Sequence, residues 1–198
     1  MTITRPRFSS LTLAAYGWCP ADWLQAFYPD DLPEDWRNTY YANEFSTVLL
    51  AAGDWVKPDA QASRWREDLQ ADFSFYVEIT PALLRADHWK AVLAAIETHL
   101  SGQVKGLLLP EACVSELPAS WQFPLHLLSP ERLLAAMPAG AEAQTGILRA
   151  ETRLSPQELR NTFEHLQQNT AHKDVVLFLD TPWVTLEQIR LMQQLYGV

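Results

Sequence analysis

LTLAAYGWCPADWLQAFYP, residues 11–29, is the stretch whose reading decides the fold. Its first six residues form an apolar run of strand length that breaks at Gly17, and aromatic residues at helical spacing then lead to Pro29. That is a strand running into a helix. The same grammar repeats to the C-terminus, so these residues open a strand-helix architecture rather than form a local feature.

Downstream, residues 20–27 and 33–45 read as helices, the second with Pro33 at its opening and Trp36, Tyr40, Tyr41 and Phe45 on one side. Residues 47–52 read as a second strand buried on both faces, 57–70 as a helix and 73–79 as a third strand. Residues 88–100 carry Trp89, Val92, Leu93, Ile96 and Leu100 as an amphipathic stripe, and 104–109 form a fourth strand. Between Pro110 and Pro118 the connection is too broken for a full helix. Residues 124–128 give a short fifth strand. Ser129, Pro130 and Glu131 then supply a cap, a first-turn proline and a first-turn carboxylate for a helix to about Met137. Residues 145–150 and 175–179 are the sixth and seventh strands. Ser155 with Glu158 forms a capping box for a helix to about Gln168, and Thr185 with Gln188 suggests a second for the last helix, whose Ile189, Met192 and Leu195 face inward.

Strands joined by helices pair in parallel, and right-handed crossovers repeated this often give a closed barrel or an open doubly wound sheet. No glycine-rich dinucleotide fingerprint follows the first strand, which weakens the second option. A chain of 198 residues, 48% hydrophobic, suits one domain over 1–198. Its formal charge of −9 disfavours nucleic acid and anionic membrane as partners. Arg5 and Arg7 precede the apolar run as in a secretory signal, but the run is short and Trp18 stands where a small residue is needed, so the expected location is the cytoplasm. Two lone cysteines, Cys19 and Cys113, agree with a reducing compartment.

Residues 17–29, with their Gly-Trp, Trp and Phe-Tyr-Pro elements, resemble the opening signature of the YecE-like proteins, the domain of unknown function 72. Residues 40–48, YYANEFSTV, are similar to that family's Tyr-Tyr and Phe-Asn-Thr-Val segment, and 73–77 to its third strand. Arg149 resembles a late-strand arginine, and Val176 to Phe178 the final strand. The resemblance implies a TIM-type parallel (β/α) barrel, irregular or incomplete, with about seven strands. It also implies a shortened and divergent member, lacking one strand-helix unit between Pro110 and Gln144. Leu49, Ala51 and Leu179 stand where the family carries glutamate and asparagine, and Glu78 where it carries lysine; these positions are expected near the barrel mouth.

Polar residues at strand ends are the candidate chemistry. Glu78, Arg149 and Asp180 are the catalytic candidates, with two carboxylates for acid-base work and an arginine to clamp an anion. The alternative is an internal ion pair that only neutralises charge. Trp18, Trp55, Glu111, Glu151 and Trp183 are the ligand-binding candidates, the tryptophans as stacking faces or as plugs over the barrel. No metal and no cofactor are expected: His88 and His99 lie about three helical turns, roughly 16 Å, apart, and His126 stands alone in a strand. Two functions stay open. One is a degenerate barrel acting as a binding or interaction protein; the other is an enzyme or binder for a small anionic molecule. Unpaired strand edges around residues 110–144 would invite a homodimer or a protein partner.

Overall fold

The computed structural model describes residues 8–20 and 22–198; Arg5, Arg7 and Ala21 lie outside them. Seven strands, β1 (Ser10–Tyr16), β2 (Thr47–Leu50), β3 (Ser74–Glu78), β4 (Val104–Pro110), β5 (Leu125–Leu128), β6 (Gln144–Arg149) and β7 (Asp174–Asp180), pair in the order β5-β4-β3-β2-β1-β7-β6, each pair parallel. They form an α/β TIM-type barrel that is closed except for one seam, between β5 and β6. Helices α1 (Trp23–Ala26), α2 (Arg37–Glu44), α3 (Pro58–Asp68), α4 (Pro81–Leu84), α5 (Trp89–Ala95), α6 (Pro156–Asn169) and α7 (Trp183–Tyr196) surround it.

Strand parity divides the apolar residues into two cores. Leu13, Ala15, Val48, Leu50, Phe75, Val77, Leu107, Leu109, Leu177 and Leu179 face the helices. Ala14, Leu49, Tyr76, Leu108, Ile147, Val176 and Phe178 fill the barrel. This double burial explains the near-continuous apolar runs of the strands. The outer core is rich in aromatics. Tyr41, fully buried on α2, accepts a hydrogen bond from the Ala15 amide at 2.8 Å and donates one to the Thr47 carbonyl at 2.9 Å. It thereby splices β1 to β2, which share a ladder only at Ala15↔Val48 and Tyr16↔Leu49.

The segment after β5 departs from expectation. Ser129, Pro130 and Glu131 open no helix; residues 133–136 run extended and antiparallel through the seam. They bridge Ala136 to Leu127 and Leu134 to Gly146. Four backbone hydrogen bonds hold them: Leu127 N–H to Ala136 O at 3.2 Å, Ala136 N–H to Leu127 O at 2.9 Å, Ala135 N–H to Thr145 O at 2.9 Å, and Ile147 N–H to Leu133 O at 3.1 Å. Gln144 adds a fifth, from Nε2 to the Ala135 carbonyl at 3.2 Å. Two otherwise open strand edges present a row of donors and acceptors, and satisfying them outweighs a good local helix signal. The premise for edge-driven association is thereby removed. Gly146 permits the arrangement, since a Cβ there would meet the Leu133 carbonyl oxygen at 2.6 Å.

The Ser155 and Glu158 capping box is present, with Glu158 N–H to Ser155 Oγ at 3.3 Å and Ser155 N–H to Glu158 Oε2 at 2.7 Å. The second one is not. Helix α7 starts at Trp183, whose amide is capped by Asp22 Oδ1 at 2.7 Å, while the Thr185 hydroxyl is buried with no partner among the described residues. On α7, Leu186 and Ile189 are fully buried, but Leu195 is 73% exposed, against the expected inward stripe.

Candidate functional site

Alternation along each strand brings Tyr16, Glu78, Arg149 and Asp180 into the C-terminal mouth of the barrel, where TIM-type folds build their sites. Ala14 and Phe178 face inward, so Tyr16 and Asp180, two residues further on, do too. The Tyr16 hydroxyl donates to Glu78 Oε2 at 2.6 Å, and Arg149 Nη2 donates to Glu78 Oε1 at 3.2 Å. Arg149 Nε lies 3.5 Å from Asp180 Oδ2, and its guanidinium carbon sits 4.9 Å over the Tyr16 ring. The three catalytic candidates thus form one cluster, joined by a tyrosine that the sequence reading passed over.

Burial and the Glu78 acceptor push the Tyr16 phenol well above its ordinary range, so it stays a donor. Both oxygens of Glu78 are engaged, one by Tyr16 and one by Arg149. Arg149 is different: its side chain is 52% exposed, and among the described residues Nη1 has no protein partner.

Asp54, in the loop after β2, was not anticipated. Its Oδ2 accepts from the Ala51 amide at 2.7 Å, and Gly17, at φ +72°, keeps a Cβ from crowding it. Burial raises its pKa to about 6, opposed by the Ala51 hydrogen bond and reinforced by the charge of Glu78. The only signal in the sequence is a carboxylate in a loop following a strand.

A cavity of about 520 Å³ opens beside the cluster, lined on one side by Glu78, Thr80 and Arg149 and on the other by Ser129, Arg132 and Leu133. Leu128, Ile147 and Leu148 supply an apolar wall. No carboxylate among the described residues pairs with Arg132, which the sequence placed in a helix. The seam loop thus forms one wall of this cavity.

The remaining candidates fall elsewhere. Trp18 packs in the outer core, with its ring 5.5 Å from Tyr41 and 5.6 Å from Trp65. Trp55 is 1% exposed, against Trp65. Trp183 stacks on Phe27 at 4.9 Å and meets Trp23 at the same distance. Their faces are occupied by protein, so they neither plug the barrel nor line the mouth cavity. Glu111, at the start of the 3-10 helix that follows β4, and Glu151, in the bend after β6, are exposed and do not line that cavity. Of the positions that depart from the family, Leu49 is inside the barrel below the mouth and Ala51 is at the end of β2, but Leu179 faces the helices. The last-strand side chain at the mouth is Asp180, not residue 179. Among the described residues no group of three His, Cys, Asp or Glu side chains is placed to hold a metal ion, and no helix is long and apolar enough to cross a membrane.

Fold and site define a parallel (β/α) barrel with a polar cluster at its C-terminal mouth. Two crystal structures of a DUF72 family protein from Enterococcus faecalis V583 are similar to this chain. The first has a TM-score of 0.58 and 10% identity over 96% of this chain and 98% of that one. The second has a TM-score of 0.56 and 10% identity over 95% and 96%. At that identity the likeness is one of fold, and it falls on the family whose opening signature residues 17–29 resemble. No family model and no curated protein matches the chain.

Proposed function

We propose that this barrel binds a small, partly apolar, anionic molecule in its C-terminal mouth and performs no acid-base chemistry there. The observation that carries the reading is the cavity of about 520 Å³ bordered by a half-exposed arginine whose Nη1 has no protein acceptor among the described residues. Glu78 and Asp180 hold one edge of that guanidinium, fixing its plane and leaving the other edge for a carboxylate or phosphate oxygen. Arg132 on the facing wall adds a second positive charge, with Glu131 beside it in the same lining, and Leu128, Ile147 and Leu148 suit an apolar body. Against an enzyme stands the engagement of Glu78 on both oxygens. Leu49 fills the barrel beneath the mouth, where a polar group would be needed for proton transfer.

A thermal-shift screen of small carboxylates and phosphate esters tests this, with parent and Arg149→Met run side by side. At least one anionic compound is expected to raise the parent melting temperature and to leave the variant unmoved. Anionic hits retained in full by Arg149→Met, or hits confined to cations, would overturn the assignment.

A further inference from the structure

Each strand of a (β/α) barrel ordinarily hands the chain to a helix that covers the outer face of the sheet. Here residues 101–155 form no α-helix, only the short 3-10 helix Glu111–Glu116. The outward side chains record the difference: Leu107 and Leu109 on β4 and Leu177 and Leu179 on β7 are fully buried, whereas Leu125 and Leu127 on β5 are only partly so. The seam segment satisfies the backbone edges but adds no layer outside them. Leu127 and Ala136 are cross-strand partners, so their side chains share one face, and alternation carries that face on to Leu134 and Arg132. A cavity of about 440 Å³ lies over it, with Arg132, Leu134, Ala136 and Met137 on one side and His165 and Asn169 of α6 on the other. No carboxylate lines this groove. The acidic residues next to it in sequence are engaged elsewhere: Glu164 by Arg160 at 3.0 Å and Glu142 by Lys105 at 3.3 Å, while Glu131 lines the mouth. Arg132, which also borders the mouth, has no ion-pair partner among the described residues.

Helix α7 carries the complementary feature. Glu187, Leu191 and Leu195 recur every four residues along its outer side, all three exposed, the two leucines by 60% and 73%. Among the described residues Glu187 has no ion-pair partner. On a helix such a row advances about 6 Å per step, and Arg132, Leu134 and Ala136 advance about 6.6 Å per step along an extended segment. The rows therefore stay in register over their length. We infer that the seam groove takes helix α7 of a second copy of this chain, with Glu187 set on Arg132 and Leu191 and Leu195 laid over Leu134, Ala136 and Leu127. Leu186 and Ile189, fully buried, fix α7 to its own barrel by its other side, so groove and helix meet only between chains. The two surfaces differ, so every added copy leaves one groove and one helix free, and association runs head to tail. A contact two helical turns long buries less than the roughly 800 Å² per partner of a stable interface, so it is weak.

Sedimentation equilibrium of the full chain, carried to about 1 mM to reach a weak contact, tests this. The weight-average mass should climb past two copies without a plateau. Leu191→Glu combined with Leu195→Glu should leave a monomer with the parent melting temperature, since both positions are exposed, and Ala136→Glu in the groove should do the same. Mixed together, these two proteins should form a one-to-one dimer and stop, because only one groove and one helix remain competent. Arg132→Glu should weaken association about tenfold, and Glu187→Arg added to the same chain should restore it. A parent that stays monomeric throughout would leave the groove to a different partner and overturn the contact. A plateau at two copies, or association that survives Leu191→Glu with Leu195→Glu, would overturn it as well, in favour of a symmetric pair or another surface.

Discussion

The two arcs of this barrel are built to different standards. From β7 through β1 to β4, every strand pair is a parallel ladder, short between β1 and β2 and with a register shift at Phe75/Tyr76 between β3 and β4, and aromatic side chains from α1, α2 and α3 fill the space behind it. From β5 to β6 there is no ladder: an extended segment of four residues stands in the gap on four backbone hydrogen bonds and one side-chain bond. A barrel can therefore close its hydrogen-bonding circuit without completing its repeat, provided a glycine such as Gly146 admits the substitute chain. The helix signal at Ser129 loses to that requirement because an N-cap hydroxyl satisfies about one donor, whereas the seam satisfies a row of them.

The largest expected effect contrasts one substitution in each arc. Trp23→Ala removes a fully buried ring packed on Phe27, Phe45 and Trp183 and breaks its hydrogen bond to the Thr181 carbonyl at 2.9 Å. Its cost should be about 3 to 5 kcal/mol, seen as a global fall in denaturation midpoint. Gly146→Val drives a side chain into the Leu133 backbone and should cost about 1 to 3 kcal/mol. Native-state hydrogen exchange separates them. In Gly146→Val the amides of Leu127, Ala135, Ala136 and Ile147 should exchange faster than in the parent while those of Val48 and Val77 keep their protection. Uniform loss of protection in both variants would mean that the seam is not a local unit.

Acid titration sharpens the same contrast, because each arc holds a buried group whose displaced pKa falls in the acid range. His126 on β5 is 1% exposed, has both ring nitrogens unpartnered, and is lowered by burial to about 4. Below pH 6.5 the unfolded chain protonates this histidine and the folded chain does not until about pH 4, so its contribution makes stability fall as pH falls through that window. Asp54 works in the opposite sense. Its folded pKa of about 6 exceeds the unfolded 3.8, so the folded chain takes the proton first and stability rises as pH falls from 6 to 3.8. The parent should therefore show a shallow profile between pH 6 and 4. Asp54→Asn should steepen its acid sensitivity and His126→Leu should reverse it, each by about 2 kcal/mol across the window in urea midpoints. Parallel profiles for both variants would show that neither group titrates with a displaced pKa in the folded protein.

How much of this was legible depends on whether a signal is local. Strands and most helices could be read because double burial writes apolar runs and the outer stripe writes a period of 3.6. The Ser155 cap was readable since both of its partners sit within one turn. The start of α7 was not, because its cap, Asp22, is 161 residues away. The mouth positions of the candidates were legible by parity where a strand was correctly phased, as for Glu78, Arg149 and Asp180. Leu179 was misplaced because counting one residue along β7 moves a side chain from mouth to outer core. The tryptophans near strand ends follow turns, where parity no longer predicts direction.

The smallest effect concerns Arg149, whose contact with Glu78 reaches across the barrel from one arc to the other at the mouth. Arg149 is on β6, beside the seam, and Glu78 is on β3, in the intact arc, so their 3.2 Å contact is a staple across the barrel. A fully buried pair would lose about 3 to 5 kcal/mol on removal of one member. This pair differs in two respects. The guanidinium is 52% exposed, so its charge is well screened in the folded protein. Glu78 is itself only 7% exposed but keeps the Tyr16 hydroxyl at 2.6 Å after Arg149 is gone, so it is not left bare. Arg149→Met should therefore cost about 1 kcal/mol by chemical denaturation, and Arg149→Met combined with Tyr16→Phe clearly more than the sum of the two single changes, because only the double variant strands the carboxylate. A loss of 3 kcal/mol or more from Arg149→Met alone would make the arginine a closure device for the incomplete barrel rather than a half-open ligand contact.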